Sequence, residues 1–134
     1  MQNRYNRRNR RKYNLKVHIV LVIKYRKALL QNGIDLFIKR AVYYLAKQYH
    51  WEIIVMETDK DHIHILLEYD TTECISDIIS ILKRQTTYYL WQRYRTFLSK
   101  QYWKKQIFWS DGYFACSIGE VSSATIEKYI AEQG

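Results

Sequence analysis

A chain of 134 residues can bury one hydrophobic core but is too short for a catalytic domain plus a separate recognition domain, so chemistry and recognition must share one surface. Its 22 Lys and Arg against 13 Asp and Glu give a formal charge of +9, which favours a polyanionic partner, with nucleic acid ahead of an anionic membrane. The longest apolar runs, such as 17–23, are too short to span a membrane, the first residues are basic rather than leader-like, and Cys74 and Cys116 form no CxxC pair or disulfide framework, so a cytoplasmic protein with reduced thiols is expected.

Residues 1–12 hold Arg4, Arg7, Arg8, Arg10, Arg11 and Lys12 with almost no apolar content. This is a basic arm, read equally well as a phosphate-gripping tail or a solubilising terminus; residues 13–134 are read as one domain. Over 13–23 apolar side chains fall on both parities, the pattern of a central strand buried on both faces. Lys24, Arg26 and Lys27 follow, placed to hold phosphates or simply to solvate a strand end. Ile34, Phe37, Ile38, Ala41, Val42 and Leu45 recur at helical spacing and predict a helix covering a sheet, with His50 at its end.

Two strands, 52–57 and 62–69, are expected next, joined as a hairpin by the polar turn Thr58-Asp59-Lys60-Asp61. Thr71 or Thr72 is a plausible N-cap for a second long helix carrying Ile75, Ile78, Ile79, Leu82 and Leu90 and running into 94–97. Lys83 and Arg84 on that helix are further phosphate-binding candidates, or a solvated face. Strand character returns at 107–109 and 113–118, broken by Ser110-Asp111-Gly112, which suits a tight turn or bulge, and Gly119 ends the sheet. Ser122 or Ser123 then caps a short helix with Ile126, Tyr129, Ile130 and Gln133. The order predicts an α+β, ferredoxin-like or RRM-like antiparallel sheet with two helices on one face and an extra C-terminal helix. The second face is left for a third helix, another subunit or nucleic acid.

Chemistry concentrates in two places. In Asp61-His62-Ile63-His64 the imidazoles are two residues apart on a strand and share a face, while Ile63 points to the other. Such a pair is either a metal site or two ordinary surface histidines. Tyr129 and Gln133, four residues apart, share a helical face, so a hydroxyl and an amide oxygen can approach one point; a Tyr anchoring an amphipathic helix gives the same spacing. No Walker-type phosphate loop occurs.

Four landmarks appear in register: Tyr13-Asn14-Leu15-Lys16-Val17-His18 leading to Lys24-Tyr25-Arg26-Lys27; Asp61-His62-Ile63-His64; Phe108-Trp109-Ser110-Asp111-Gly112-Tyr113-Phe114; and Ile126-Glu127-Lys128-Tyr129-Ile130-Ala131-Glu132-Gln133. With them the chain resembles, over nearly its whole length, the IS200-like single-tyrosine HUH transposases of the smallest bacterial and archaeal insertion sequences. That resemblance implies a nucleophile at Tyr129 and metal ligands at His62, His64 and Gln133, with Mg²⁺ or Mn²⁺ as the metal. It further implies single-stranded DNA with hairpins at the element ends as partner, and a homodimer whose subunits share active sites. His18 matches a position often histidine in the family, and a structural role is expected for it. The rival reading is a non-catalytic, domesticated module that binds single-stranded nucleic acid through basic and aromatic side chains.

Overall fold

The computed structural model describes residues 15–117 and 123–133. Its elements are β1 (Leu15–Val22), α1 (Ile34–Tyr49), β2 (Glu52–Asp59), β3 (His62–Tyr69), α2 (Ile75–Arg93), α3 (Arg95–Gln101), β4 (Phe114–Ser117) and α4 (Ser123–Glu132). The four strands form one antiparallel sheet in the order β2-β3-β1-β4, the expected α+β architecture.

Pairing register decides which side chains share a face. Ile19 stands opposite Ile65 and Leu21 opposite Ile63, so the odd-numbered residues of β1 and β3 form one apolar face. Val17, Ile19, Ile63, Ile65 and Leu67 are wholly out of solvent there and cluster with Ile38 and Leu45 of α1 and Ile78 and Leu82 of α2. The even-numbered residues form the second face, with Val20 opposite His64 and Val22 opposite His62. Val20 and Val22 are also fully buried, as the two-sided pattern of β1 predicts. The C-terminal helix supplies cover on this side: Phe114 pairs with Val20 in β4, and its ring lies 5.5 Å from that of Tyr129.

Several boundaries differ from expectation for local reasons. β2 runs on to Asp59, because Thr58 and Asp59 continue the ladder opposite Ile63 and His62, leaving Lys60-Asp61 as the hairpin loop. Thr71 and Thr72 do not cap α2: both hydroxyls turn to the Asp70 carboxylate, at 3.4 and 2.7 Å, and Cys74 takes the N-cap position without a side-chain bond. The long helix stops at Arg93, since Tyr94 leaves helical geometry (φ −123, ψ 35) and meets Phe37 of α1 edge-on at 5.4 Å. The strand expected at 107–109 shrinks to one bridge, Trp109 with Ile23. β4 is limited to 114–117; residue 118, Gly119 and Ser122 lie outside the described residues, as do the basic arm 1–12 and residues 13–14. No described helix is long and apolar enough to cross a membrane.

Candidate active site

Strand alternation delivers both histidines to the second face, half-buried. His64 is tied to β1: its Nε2 lies 2.9 Å from His18 Nδ1, the rings stacked with centroids 5.1 Å apart. The structural role expected of His18 is therefore the orientation of His64. Burial, with the neighbouring His18 charge, lowers the His64 pKa below the ordinary histidine value, so the neutral imidazole persists to lower pH. His62 is oriented from the hairpin loop, its Nδ1 lying 2.9 Å from Asp61 Oδ1. Arg26 Nε donates to the other oxygen of Asp61 at 3.2 Å. Burial alone would raise the Asp61 pKa, but the hydrogen bonds and charges of His62 and Arg26 outweigh it and hold the carboxyl below its usual range. A carboxylate behind an imidazole fixes the tautomer and leaves Nε2 as the outward nitrogen.

The C-terminal helix contributes a second group. A Cβ placed on Gly112 would stand 3.6 Å from the Tyr129 hydroxyl oxygen and 3.6 Å from Gln133 Oε1, so the two polar atoms converge on one glycine. Gln133 Oε1 also accepts from Ser110 Oγ at 3.3 Å. Among the described residues the buried Tyr129 hydroxyl has no hydrogen-bond partner, and desolvation pushes its pKa up to about 12. The same helix reaches the histidine side, where Ile130 and Ala131 line a cleft of about 460 Å³ together with His62, Asp61 and Arg26. Among the described residues no hydrogen bond joins the histidine pair to Tyr129 or Gln133. Nor do three His, Cys, Asp or Glu side chains gather there into a metal-holding group.

The cationic candidates divide. Lys83 Nζ donates to the backbone carbonyls of Asp111 and Gly112 at 3.0 and 3.1 Å, pinning the loop against which Tyr129 and Gln133 sit. Burial lowers its pKa, partly offset by the Asp111 charge. Lys24 faces Asp111 at 3.4 Å, and Lys27 reaches Gln101 Oε1 at 3.4 Å. Arg84 contacts Ser80 Oγ at 3.1 Å on an exposed helix face, so its guanidinium stays accessible. Asp61, Ser110 and Gly112 gain from the structure a positioning role that sequence reading did not assign them. The available signal was their place inside two of the four landmarks, directly beside the histidines and within the loop before β4.

The family described as "Transposase IS200 like" matches residues 11–133. The ISDra2 transposase TnpA of Deinococcus radiodurans is 29% identical over 121 residues, 90% of this chain and 85% of that protein. The transposase for insertion sequence element IS200 of Salmonella typhimurium is 27% identical over 122 residues, 91% and 78% of the two chains. A crystal structure from Deinococcus radiodurans R1, whose protein is described as a transposase, superposes with a TM-score of 0.82 at 25% identity, covering 90% of this chain and 92% of that one. A REP-associated tyrosine transposase bound to a REP hairpin gives 0.57 at 11% identity over 87% and 62%, a likeness of fold alone.

Proposed function

This chain belongs to the IS200-like transposases, and from that membership we propose that it binds, cleaves and rejoins single-stranded DNA at insertion-sequence ends, with Tyr129 as the nucleophile. The observation that carries the reading is the Tyr129 hydroxyl, buried and, among the described residues, unpartnered beside the Gln133 amide oxygen. A buried orphan polar group destabilises a fold by about 1–3 kcal/mol, and one in this position is accounted for by a phosphate that binds next to it.

The proposed step conserves phosphodiester bonds. The phenol oxygen attacks phosphorus, the bond from phosphorus to the 3′ oxygen breaks, the phenol proton leaves to solvent and the departing 3′ oxygen takes a proton from solvent to become a hydroxyl. The 5′-phosphotyrosine that results is resolved when another 3′-hydroxyl attacks it and Tyr129 regains a proton, so no nucleotide cofactor is consumed. Two imidazoles on one face suit Mg²⁺ or Mn²⁺, and we take His62 and His64, with Gln133 from the tyrosine helix, as the holding residues. When bound, such an ion would withdraw charge from the scissile phosphate. His18 and the Asp61–Arg26 pair orient the imidazoles, and Lys83 holds the loop under Tyr129. We take the substrate to bear hairpins at its ends, the working unit to be a homodimer sharing its sites, residues 13–134 to be one domain behind the basic arm, and the compartment to be the cytoplasm.

The test is a cleavage assay on a hairpin-bearing single strand, scoring the covalent adduct. His62→Ala and His64→Ala should each lower adduct formation by about 100-fold or more, and a chelator should abolish it in the wild type. Strand binding should persist in both variants. Full activity in the chelator or in either variant would overturn the metal assignment and favour the non-catalytic module.

A further inference from the structure

A separate cleft of about 400 Å³ opens beside Asp111, within the roughly 300–1,000 Å³ span of small-ligand sites. Neither histidine of the pair lines it, nor do Tyr129 and Gln133. Tyr25 and Trp103 border it and stand 62% and 78% exposed, a large aromatic surface left in water. Buried Tyr102 and Trp109 complete its aromatic lining. The charged groups in the lining are Lys24, Lys104 and Lys105 against the single acid Asp111.

Two further features mark the cleft as built for contact. Tyr25 and Arg26 are both held in left-handed backbone geometry, φ 64 and 52, at roughly 1–3 kcal/mol for each such residue. The turn is locked from behind, as the Tyr102 hydroxyl donates to the Lys24 carbonyl at 3.0 Å. Strain is therefore maintained while the Tyr25 ring is directed into solvent. In addition, cations sit on the exposed rings: Lys104 Nζ is 4.8 Å from the Trp103 centroid and Lys24 Nζ 5.5 Å from that of Tyr25. Each ring thus has a positive charge within one side chain's reach of whatever stacks on it.

We propose that this cleft holds an unpaired nucleotide of single-stranded DNA, its base stacked on Trp103 and Tyr25 and its flanking phosphates set on Lys24, Lys104 and Lys105. The proposal rests on the DNA-processing reading above and adds to it a strand-holding subsite outside the reacting groups. Aromatic faces accept any base, because every base has a π-face, and neighbouring ammonium groups track the backbone without reading sequence. An acidic peptide would meet the same cations but would leave the rings without a partner.

The experiment measures equilibrium binding of an oligothymidine strand of about ten nucleotides, a length matched to a small single-strand site, and of an abasic strand of equal length. Trp103→Ala should weaken oligothymidine binding by about 5- to 150-fold, the range for one lost base–aromatic stack, and Trp103→Phe should restore most of it. Because Trp103 is exposed, its loss leaves the core intact, and near-ultraviolet circular dichroism checks this. Lys104→Ala and Lys105→Ala should each reduce the slope of log affinity against log salt by about 0.7. Lys47→Ala on α1, an exposed cation outside the cleft, should leave binding unchanged. The abasic strand should bind the wild type and Trp103→Ala alike. Equal oligothymidine affinity of wild type and Trp103→Ala, or equal wild-type affinity for the two strands, would overturn the proposal. If the hairpin strand is still cleaved in that case, the proposed function survives and only the subsite falls. A wild-type protein that binds no single strand overturns both.

Discussion

Tyr129 offers an unusual separation of stability from activity. Its buried hydroxyl has no partner among the described residues, so Tyr129→Phe removes a group that destabilises the fold. The variant should unfold at higher denaturant concentration, by about 0.5–2 kcal/mol, while covalent adduct formation disappears and strand binding stays within about twofold. An adduct that persists would mean another nucleophile. The pH dependence follows from the same burial. A phenol ionising at about 12 instead of 10 carries about a hundredfold less phenolate at neutral pH. If phenolate is the attacking form, single-turnover adduct formation should climb about tenfold for each pH unit between roughly 7 and 9. A flat profile would show that a group in the site takes the proton during attack. On the acid side, the lowered pKa of His64 keeps its imidazole neutral below the ordinary value of 6.5, so its ligation should be lost only as pH falls past that value. At this scale the pairing of Tyr129 with Gln133 was legible, because four residues on a helix fix a common face. The orientation of His62 by Arg26 through Asp61 was not, because it depends on how the Lys24–Arg26 turn folds back onto a hairpin loop far along the chain.

The elements rest on a small number of buried polar links between them, which propensity does not encode. Thr86 of α2 donates its hydroxyl to the Leu82 carbonyl at 2.6 Å and accepts from Trp109 Nε1 at 2.9 Å, joining the helix to the bridge segment before β4. Thr86→Val keeps the shape but leaves the Trp109 N–H without its acceptor, and should lower stability by about 1–3 kcal/mol in urea unfolding. Adding Trp109→Phe to that background should cost less than Trp109→Phe alone, since the donor then has nothing left to lose. Strict additivity would mean that the bond contributes nothing. Strands β1 and β3 were readable because two-residue alternation is a property of the chain itself. The break at Tyr94 was invisible, for no glycine or proline marks it; the helix yields to the packing of one ring against α1. The strand expected at 107–109 failed for a related reason, since apolar residues there fill the core as Phe108 does, at 1% exposure, without entering a ladder.

For the whole molecule, the proposed sharing of sites between subunits has a direct test. Mixing His64→Ala and Tyr129→Phe chains in equal amounts should restore about a quarter of wild-type cleavage, since half the dimers are mixed and each holds one intact site of two. No recovery after demonstrated subunit exchange would show that each chain's own α4 completes its site, on the same face where Tyr129 already meets Phe114. Sheet and helix order were readable at this scale because the periodicities were strong; the cover that α4 provides was not, because nothing in a helix's own pattern names the surface it rests on. The strand order carries a consequence for synthesis. β1 lies between β3 and β4, so one side of the most apolar strand is paired by the middle of the chain and the other, among the described residues, by β4 and by the Trp109–Ser110 segment before it. While a ribosome is extending the chain, that second edge stays unpaired until residues 109–117 have emerged, and an open edge rich in valine and isoleucine is a template for pairing with a neighbouring nascent chain. The segment from Trp109 to Ser117 thus acts as the closing stitch, and chains truncated before it should collect as aggregates in the cell.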